Sequence, residues 1–391
     1  MIEAGKPNAK PSHANASCKP AGESRFDPVT GNWTIFAAHR SGRPQEFIEA
    51  HERVRKQVEC PFCPGNEETT PPAVWIGQAN NDEQNTSNQH EADESLTHDD
   101  WTVRVVPNKF PAVSSISSDA QPECNTSTFG NSDPLSSNRE SSLFQRLPVA
   151  GGHEVIIESR NHVQSLTELD ASEIALVFKA YRDRLLHWRQ VPGISYLSTF
   201  KNVGGKAGAS LRHTHSQLIA TNRIPPLIST SVERMSRHRL TRGSCLHCDL
   251  IHAELKSKER IIWQDDSLVA FCPFASHLPM LVRLTTLEHQ PCYEDLNDVT
   301  IESVSRIVRR VVSWLEKLRP GTAYNFCLHT RPPASSDSSD AYHWSIEIFP
   351  RMTQVAGFEW SSQCMINPVL PEDAAAELRA CALAEDPRIM L

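Results

Sequence analysis

Two stretches of this chain repeat one another in order and spacing, and no other feature constrains its fold as tightly. HEVIIESRNHVQSLTELDASEIALVFKAYRDRLLHWRQVPGISYLSTFKN (153–202) and LPMLVRLTTLEHQPCYEDLNDVTIESVSRIVRRVVSWLEKLRPGTAYNFCLHT (278–330) share one plan. Each opens on a β-rich run, reaches a lone histidine (His162 or His289), crosses a polar, acidic stretch and enters an amphipathic helix. In the first helix Ile174, Val177, Phe178, Tyr181, Leu185 and Trp188 recur at helical spacing; in the second, Val304, Ile307, Val308, Val311, Leu315 and Leu318 do so. Asp170 and Asn297 stand where N-caps belong, and Pro192-Gly193 and Pro320-Gly321 end the helices. A strand, a loop and a further strand led by His213 or His343 follow. The chain advances 51 residues from His162 to His213 and 54 from His289 to His343, as duplication of one unit requires.

Upstream of each unit lies one C-x-x-C pair, Cys60/Cys63 or Cys245/Cys248. Each half thus offers two thiols and two imidazoles: Cys60, Cys63, His162 and His213, then Cys245, Cys248, His289 and His343. Zn²⁺ takes such sulfur and nitrogen donors tetrahedrally, and a set of four protein ligands leaves no open position, so two structural zinc sites are expected. A ribbon joining the cysteine pairs would need them roughly 15–20 residues apart; Cys63 and Cys245 are 182 apart. His247 reads as a loop residue rather than a ligand.

The expected fold is α+β, each half a mostly antiparallel sheet with a helix packed on one face. Residues 1–22 read as a disordered tail, 23–222 as a first domain and 223–391 as a second. Polar, aperiodic segments near 77–100 and 114–142 read as loop insertions. The cysteine count of 11 is odd, which argues against a fully paired disulfide framework and for a reducing, cytoplasmic setting. A net charge of −8 without a basic run speaks against nucleic acid as a partner. A membrane span and a secretory signal are not expected either, since apolar runs of the needed length are missing.

In the segment His213-Thr214-His215-Ser216-Gln217 alternation puts His213, His215 and Gln217 on one face. With His213 on the metal, His215 is free beside it. The loop before it, Phe200 to Ser210, is rich in small residues, including Gly208 and Ala209, and could let backbone amides approach phosphate oxygens. A neutral imidazole attacks phosphorus well and leaves readily from the phosphoramidate. His215 is therefore the expected nucleophile toward the α-phosphorus of a nucleotide sugar, with Gln217 and Ser210 donating to the phosphoryl oxygens. The second repeat reads His343-Trp344-Ser345-Ile346-Glu347, keeping the metal histidine and losing the nucleophile.

These residues, with DPVTGNW (27–33), RSGRP (40–44), CPFCPGNE (60–67), RVVPNKFPAV (104–113), GGHEVIIESRNH (151–162) and GFEW (357–360), resemble the galactose-1-phosphate uridylyltransferase family of the histidine-triad superfamily. The resemblance implies two histidine-triad-like repeats, ping-pong transfer and a homodimer in which sugar contacts cross between subunits. It implies that Arg40 and Arg43 contact phosphate or nucleotide, that Asn66 and Asn108 hold base and ribose, and that Asn202 binds phosphate. Gln354, Gly357, Phe358 and Glu359 would meet the sugar. The activity expected first is uridylyl transfer between UDP-glucose and a hexose 1-phosphate. Thr214 between the histidines departs from the HPHxQ common in the family's bacterial galactose enzymes, and the complete second ligand set is similar to the ADP-glucose phosphorylase branch, whose acceptor is inorganic phosphate. A histidine-triad hydrolase and a non-catalytic zinc scaffold are the remaining alternatives.

Overall fold

The structure, a computed structural model, describes residues 22–38, 40, 59–78, 101–115 and 147–387. The tail apart from Gly22, both polar insertions apart from 77–78 and 114–115, and Arg43 lie outside the described residues.

The first half supplies β1 (Glu23–Phe26), β2 (Trp33–Phe36), β3 (Trp75–Gly77), β4 (Val103–Pro107), β5 (Ser114–Ser115), β6 (Ala150–Ile157), α1 (Ala171–Gln190), β7 (Tyr196–Val203) and β8 (His215–Thr221). Two helices, α2 (Pro226–Arg242) and α3 (Leu246–Ser257), lead into the second half. There follow β9 (Ile261–Gln264), β10 (Leu268–Phe271), β11 (Val282–Thr286), α4 (Asp298–Leu318), β12 (Tyr324–His329) and β13 (Ser345–Pro350). The chain closes with α5 (Gly357–Ser362), β14 (Met365–Asn367) and α6 (Pro371–Glu385).

The duplication is visible in the sheet. Its strand order is β3-β4-β6-β8-β7-β12-β13-β11-β10-β9, with β5 added beside β6, so each half runs as the reverse of the other about the β7–β12 pair. That pair is antiparallel, from Tyr324 opposite Val203 to Leu328 opposite Thr199. The mostly antiparallel sheets of the two halves join edge to edge into one continuous main sheet, because β7 and β12 would otherwise be unpaired edges and here satisfy each other.

Both long helices start where their caps were read. Asp170 accepts from the amides of Ser172 and Glu173, and the Asn297 side chain accepts from the amide of Thr300. Their apolar stripes bury Ile174, Val177, Phe178 and Leu185 in α1 and Val304, Ile307, Val308, Val311 and Leu315 in α4. These residues join strand residues of both halves in one continuous core, where Phe178 of α1 stacks on Phe326 of β12. Helix α1 therefore packs across the join between the halves. A small sheet, β1-β2-β14, ties residues 23–36 to the far end of the chain. Among the described residues no helix is long and apolar enough to cross a membrane.

Candidate active site and metal clusters

Four donors from separate parts of the first half meet at one point: Cys60, Cys63, His162 and His213 lie with their ligand atoms within 4.8 Å of one another. Cys245, Cys248, His289 and His343 do the same in the second half. A tetrahedral ion with bonds of about 2.0–2.3 Å needs its donors about 3.3–3.8 Å apart. Cys63 Sγ is 3.3 Å from His162 Nδ1 and 3.6 Å from His213 Nδ1, and Cys248 Sγ is 3.4 Å and 3.5 Å from the Nδ1 atoms of His289 and His343. Outer hydrogen bonds orient the rings. His213 Nε2 donates to the carbonyl of Ser159 at 2.8 Å, which leaves Nδ1 unprotonated toward the thiols, and His343 Nε2 meets Thr286 Oγ1 at 3.0 Å. Burial, and then the neighbouring Cys60, push the Cys63 thiol up to about 11. Both clusters could hold a metal ion. His247, in the first turn of α3, packs its ring parallel to that of His343 and is outside the ligand set.

From the first cluster the chain passes directly into β8. His213 and Thr214 precede the assigned strand, which starts at His215. His215 stands opposite Ile157 of β6, and Gln217 opposite Val155, so the histidine and the glutamine share the face that bears Phe62. The Nδ1 of His215 lies 2.7 Å from the carbonyl oxygen of His213. A carbonyl oxygen can only accept, so Nδ1 carries the proton and Nε2 keeps its lone pair. Burial is the main cause that holds this imidazole below the ordinary histidine value, leaving it neutral near pH 7. A neutral imidazole with a fixed tautomer and a free Nε2 is a competent nucleophile.

Thr214 and Ser216 point to the other face of the strand. Lys201 of β7 and Glu158, just beyond β6, form an ion pair there with both side chains fully buried. Thr214 Oγ1 donates to Glu158, Tyr181 donates to its other oxygen at 2.9 Å, and Ser216 Oγ donates to Tyr181 at 2.8 Å. Lys201 also reaches the carbonyl of His215 at 3.2 Å. This network fixes the strand from behind. Sequence reasoning put Tyr181 on the apolar stripe of the first helix and noted Thr214 between the histidines, but it did not foresee the network, although the alternation of β8 marks Thr214 and Ser216 as facing inward.

The loop between β7 and β8 is glycine-rich as read, but its amides are partly committed. The N–H groups of Ala207 and Ala209 donate to Gly204 and that of Gly208 to Gly205, so Gly208 and Ala209 spend their amides inside the loop. Asn325 of the second half pins it, donating to Ala207 O at 2.9 Å and to Asn202 Oδ1 at 2.8 Å. Sequence reasoning also missed Asn325. Asn202 follows Lys201, whose partner is Ser216, and so comes level with His215 on the neighbouring strand. Ser210 is exposed at the loop's end.

The remaining expected residues divide. Asn108 has its amide 3.1 Å from His153 Nε2. Asn66 donates to Cys60 O at 2.8 Å, beside the first Cys/His cluster. Arg40 is exposed beyond β2, with its own amide bonded to Ala37 O. Gln354, Gly357 and Phe358 are exposed around α5, and Glu359 caps that helix through the amide of Ala356. The described contacts do not bring these four to His215 of the same chain.

This arrangement has relatives. The family described as galactose-1-phosphate uridyl transferase, N-terminal domain, matches residues 15–225, and a family described only as a domain of unknown function matches 125–385. An ADP-glucose phosphorylase of Arabidopsis thaliana is 30% identical over 365 residues, covering 92% of this chain and 93% of that protein. A galactose-1-phosphate uridylyltransferase of Thermotoga maritima is 22% identical over 91% of this chain and 98% of its own length. Among solved structures, the Arabidopsis thaliana ADP-glucose phosphorylase with bound ADP-glucose superposes with a TM-score of 0.71 at 29% identity, covering 92% of this chain and 98% of that one. On the strength of these matches the chain belongs to the galactose-1-phosphate uridylyltransferase family, whose members are enzymes.

Proposed function

We propose that the protein transfers a nucleoside monophosphate from a nucleotide sugar through a covalent bond to His215, with ADP-glucose as donor and inorganic phosphate as acceptor. The observation that carries this reading is the His215–His213 hydrogen bond, which leaves Nε2 as the unprotonated nitrogen. In the first step Nε2 attacks the α-phosphorus; an N–P bond forms, the P–O bond to the β-phosphoryl oxygen breaks, and glucose 1-phosphate leaves. In the second step an oxygen of inorganic phosphate attacks, the N–P bond breaks, and ADP leaves. Gln217, Ser210 and Asn202 would donate to the phosphoryl oxygens as charge builds, and Asn108 would hold the nucleoside.

Uridylyl transfer to a hexose 1-phosphate was expected first from the sequence. Two observations now favour the phosphorylase: the ADP-glucose phosphorylase relative is 30% identical against 22% for the Thermotoga uridylyltransferase, and the second half brings together a full set of four metal donors. The donor set of two thiolates and two imidazoles suits Zn²⁺, which when bound supplies a structural cross-link with no open position for substrate. The exposed Phe358 and Trp360 of α5 support a homodimer in which residues 354–359 reach the partner's cleft.

The test uses UDP-glucose and ADP-glucose, each radiolabelled at the α-phosphorus and incubated with the protein alone. Acid-labile, base-stable label from ADP-glucose that chases onto inorganic phosphate is the expected result. Label from UDP-glucose that chases onto galactose 1-phosphate would establish the uridylyltransferase instead. A His215→Ala protein that folds, binds zinc and retains full turnover would overturn the mechanism.

A further inference from the structure

His153 stands two residues before the strand position opposite Gln217, on the same face of the sheet, in the diagonal relation that lets long side chains meet. Its Nδ1 accepts from the backbone N–H of Ala112 at 3.1 Å, and its Nε2 lies 2.8 Å from Gln217 Oε1. A backbone N–H can only donate, so Nδ1 is unprotonated and the neutral ring carries its hydrogen on Nε2. Nε2–H therefore donates to the oxygen of Gln217, and the amide of that residue has its two N–H bonds on the far side. Asn108 Nδ2 comes within 3.1 Å of the same ring nitrogen. Asn108 Oδ1 accepts from the amide of Phe110, so the Asn108 group facing the ring is a donor and cannot take the Nε2 hydrogen from Gln217.

We propose that His153 is a positioning residue for phosphoryl transfer: by fixing which end of the Gln217 amide faces it, it keeps Gln217 a donor toward the phosphoryl group. The proposal rests on the reading of His215 as nucleophile and Gln217 as phosphoryl ligand. The physical point is that a side-chain amide is almost symmetric in shape. Rotated by half a turn, Gln217 would fit the same space and aim oxygen lone pairs at an anion. A donor on one side that is itself locked by a backbone amide on the other removes that alternative. The segment carrying Ala112, between β4 and β5, thus reaches Gln217 through a single ring, with Asn108 beside it.

The experiment compares His153→Gln, His153→Asn and His153→Phe by the single-turnover rate of label transfer to His215 and by the dissociation constant of ADP-glucose. A glutamine places its amide nitrogen where imidazole Nε2 stands and keeps the donor; an asparagine reproduces only the Nδ1 side. We expect His153→Phe and His153→Asn to slow labelling about 10- to 100-fold, the range for a misplaced or lost transition-state donor. The dissociation constant should change far less than the rate, and His153→Gln should keep most of the rate. In a Gln217→Ala background His153→Phe should cost nothing further. Full activity in His153→Asn, or an undiminished His153→Phe effect in the Gln217→Ala background, would overturn the proposal. Should the wild type take no label from either nucleotide sugar, the reading of function fails. The ¹⁵N shifts of the His153 ring then decide this proposal on their own, since a protonated Nδ1 overturns it.

Discussion

Lys201 and Glu158 form a salt bridge in which neither side chain touches solvent, directly behind the strand that carries His215. Burial alone would push the Glu158 carboxyl up; Lys201 and Thr214 outweigh it and hold the group below the ordinary glutamate value. Removing one partner leaves a charge stranded in the core. Lys201→Met should therefore destabilise the protein by about 3–5 kcal/mol in urea unfolding. The double variant Lys201→Met/Glu158→Gln should recover much of that loss, because it removes both charges. Equal destabilisation of the single and double variants would show that the pair's worth lies in packing and not in charge.

The two metal clusters should separate in their consequences. Cys245→Ser and Cys60→Ser should each lower zinc content by one equivalent per chain, read by elemental analysis, and each should lower the melting temperature. The second cluster sits in the half that has Ser345 at the position of His215, so Cys245→Ser should leave covalent labelling of His215 largely intact at a temperature where the protein is folded. Cys60→Ser should not, because His213 is both a candidate metal ligand and the source of the carbonyl that fixes the His215 tautomer. Equal loss of labelling in both folded variants would show that the second cluster also positions the site around His215.

The residues that could be read from the sequence are those whose role depends on local spacing. The C-x-x-C pairs, the lone histidines, the helix caps Asp170 and Asn297 and the alternation of His213, His215 and Gln217 are of this kind, and the structure gathers both ligand sets. What could not be read depends on register between distant strands. His153 and Gln217 meet only because β6 pairs with β8 at one particular offset, and Asn325 reaches Asn202 only because the halves fuse along β7 and β12. Lys201 has no sequence signature as a buried base; it becomes one when Glu158, Thr214 and Tyr181 converge on the α1 face. Asn66, which the resemblance puts at the base and ribose, has a structural bond that the sequence did not show: its amide donates to the Cys60 carbonyl.

Acid should weaken the attachment of the chain's ends through Glu372. Its carboxylate takes two hydrogen bonds from Arg25, at 2.8 and 3.1 Å, and one from Arg260 at 2.7 Å. Burial opposes ionisation, yet the two arginines outweigh it and hold the carboxyl below the ordinary glutamate value. A carboxyl depressed in the folded state stabilises the fold above its unfolded value, about 4.3, and that contribution is lost as pH falls through the lower folded value. The melting temperature of wild type should therefore fall more steeply below about pH 4.3 than that of Glu372→Gln, which starts lower and has less to lose. Parallel curves for the two proteins would show that Glu372 titrates alike folded and unfolded.

Two glycines of the β7–β8 loop should differ sharply in what they tolerate. Gly204 has φ +84° and ψ 155°, a region open to glycine almost alone, and a Cβ built there would stand 2.8 Å from the Cβ of Ala323. Gly208 has φ +91° and ψ 12°, and the nearest atom to its Cβ would be Asn202 Nδ2 at an ordinary 3.8 Å. Gly208→Ala should thus cost only the left-handed backbone penalty, about 1–2 kcal/mol in urea unfolding. Gly204→Ala should cost more, about 1–3 kcal/mol of backbone strain with the clash against Ala323 in addition. Because Ala323 leads into β12, relief of that clash must shift either the loop or the join between the halves. Gly204→Ala should therefore slow labelling of His215 more than Gly208→Ala does, even under conditions where both are fully folded. The reverse order of rates would mean that the loop adjusts freely and that the join does not set its position.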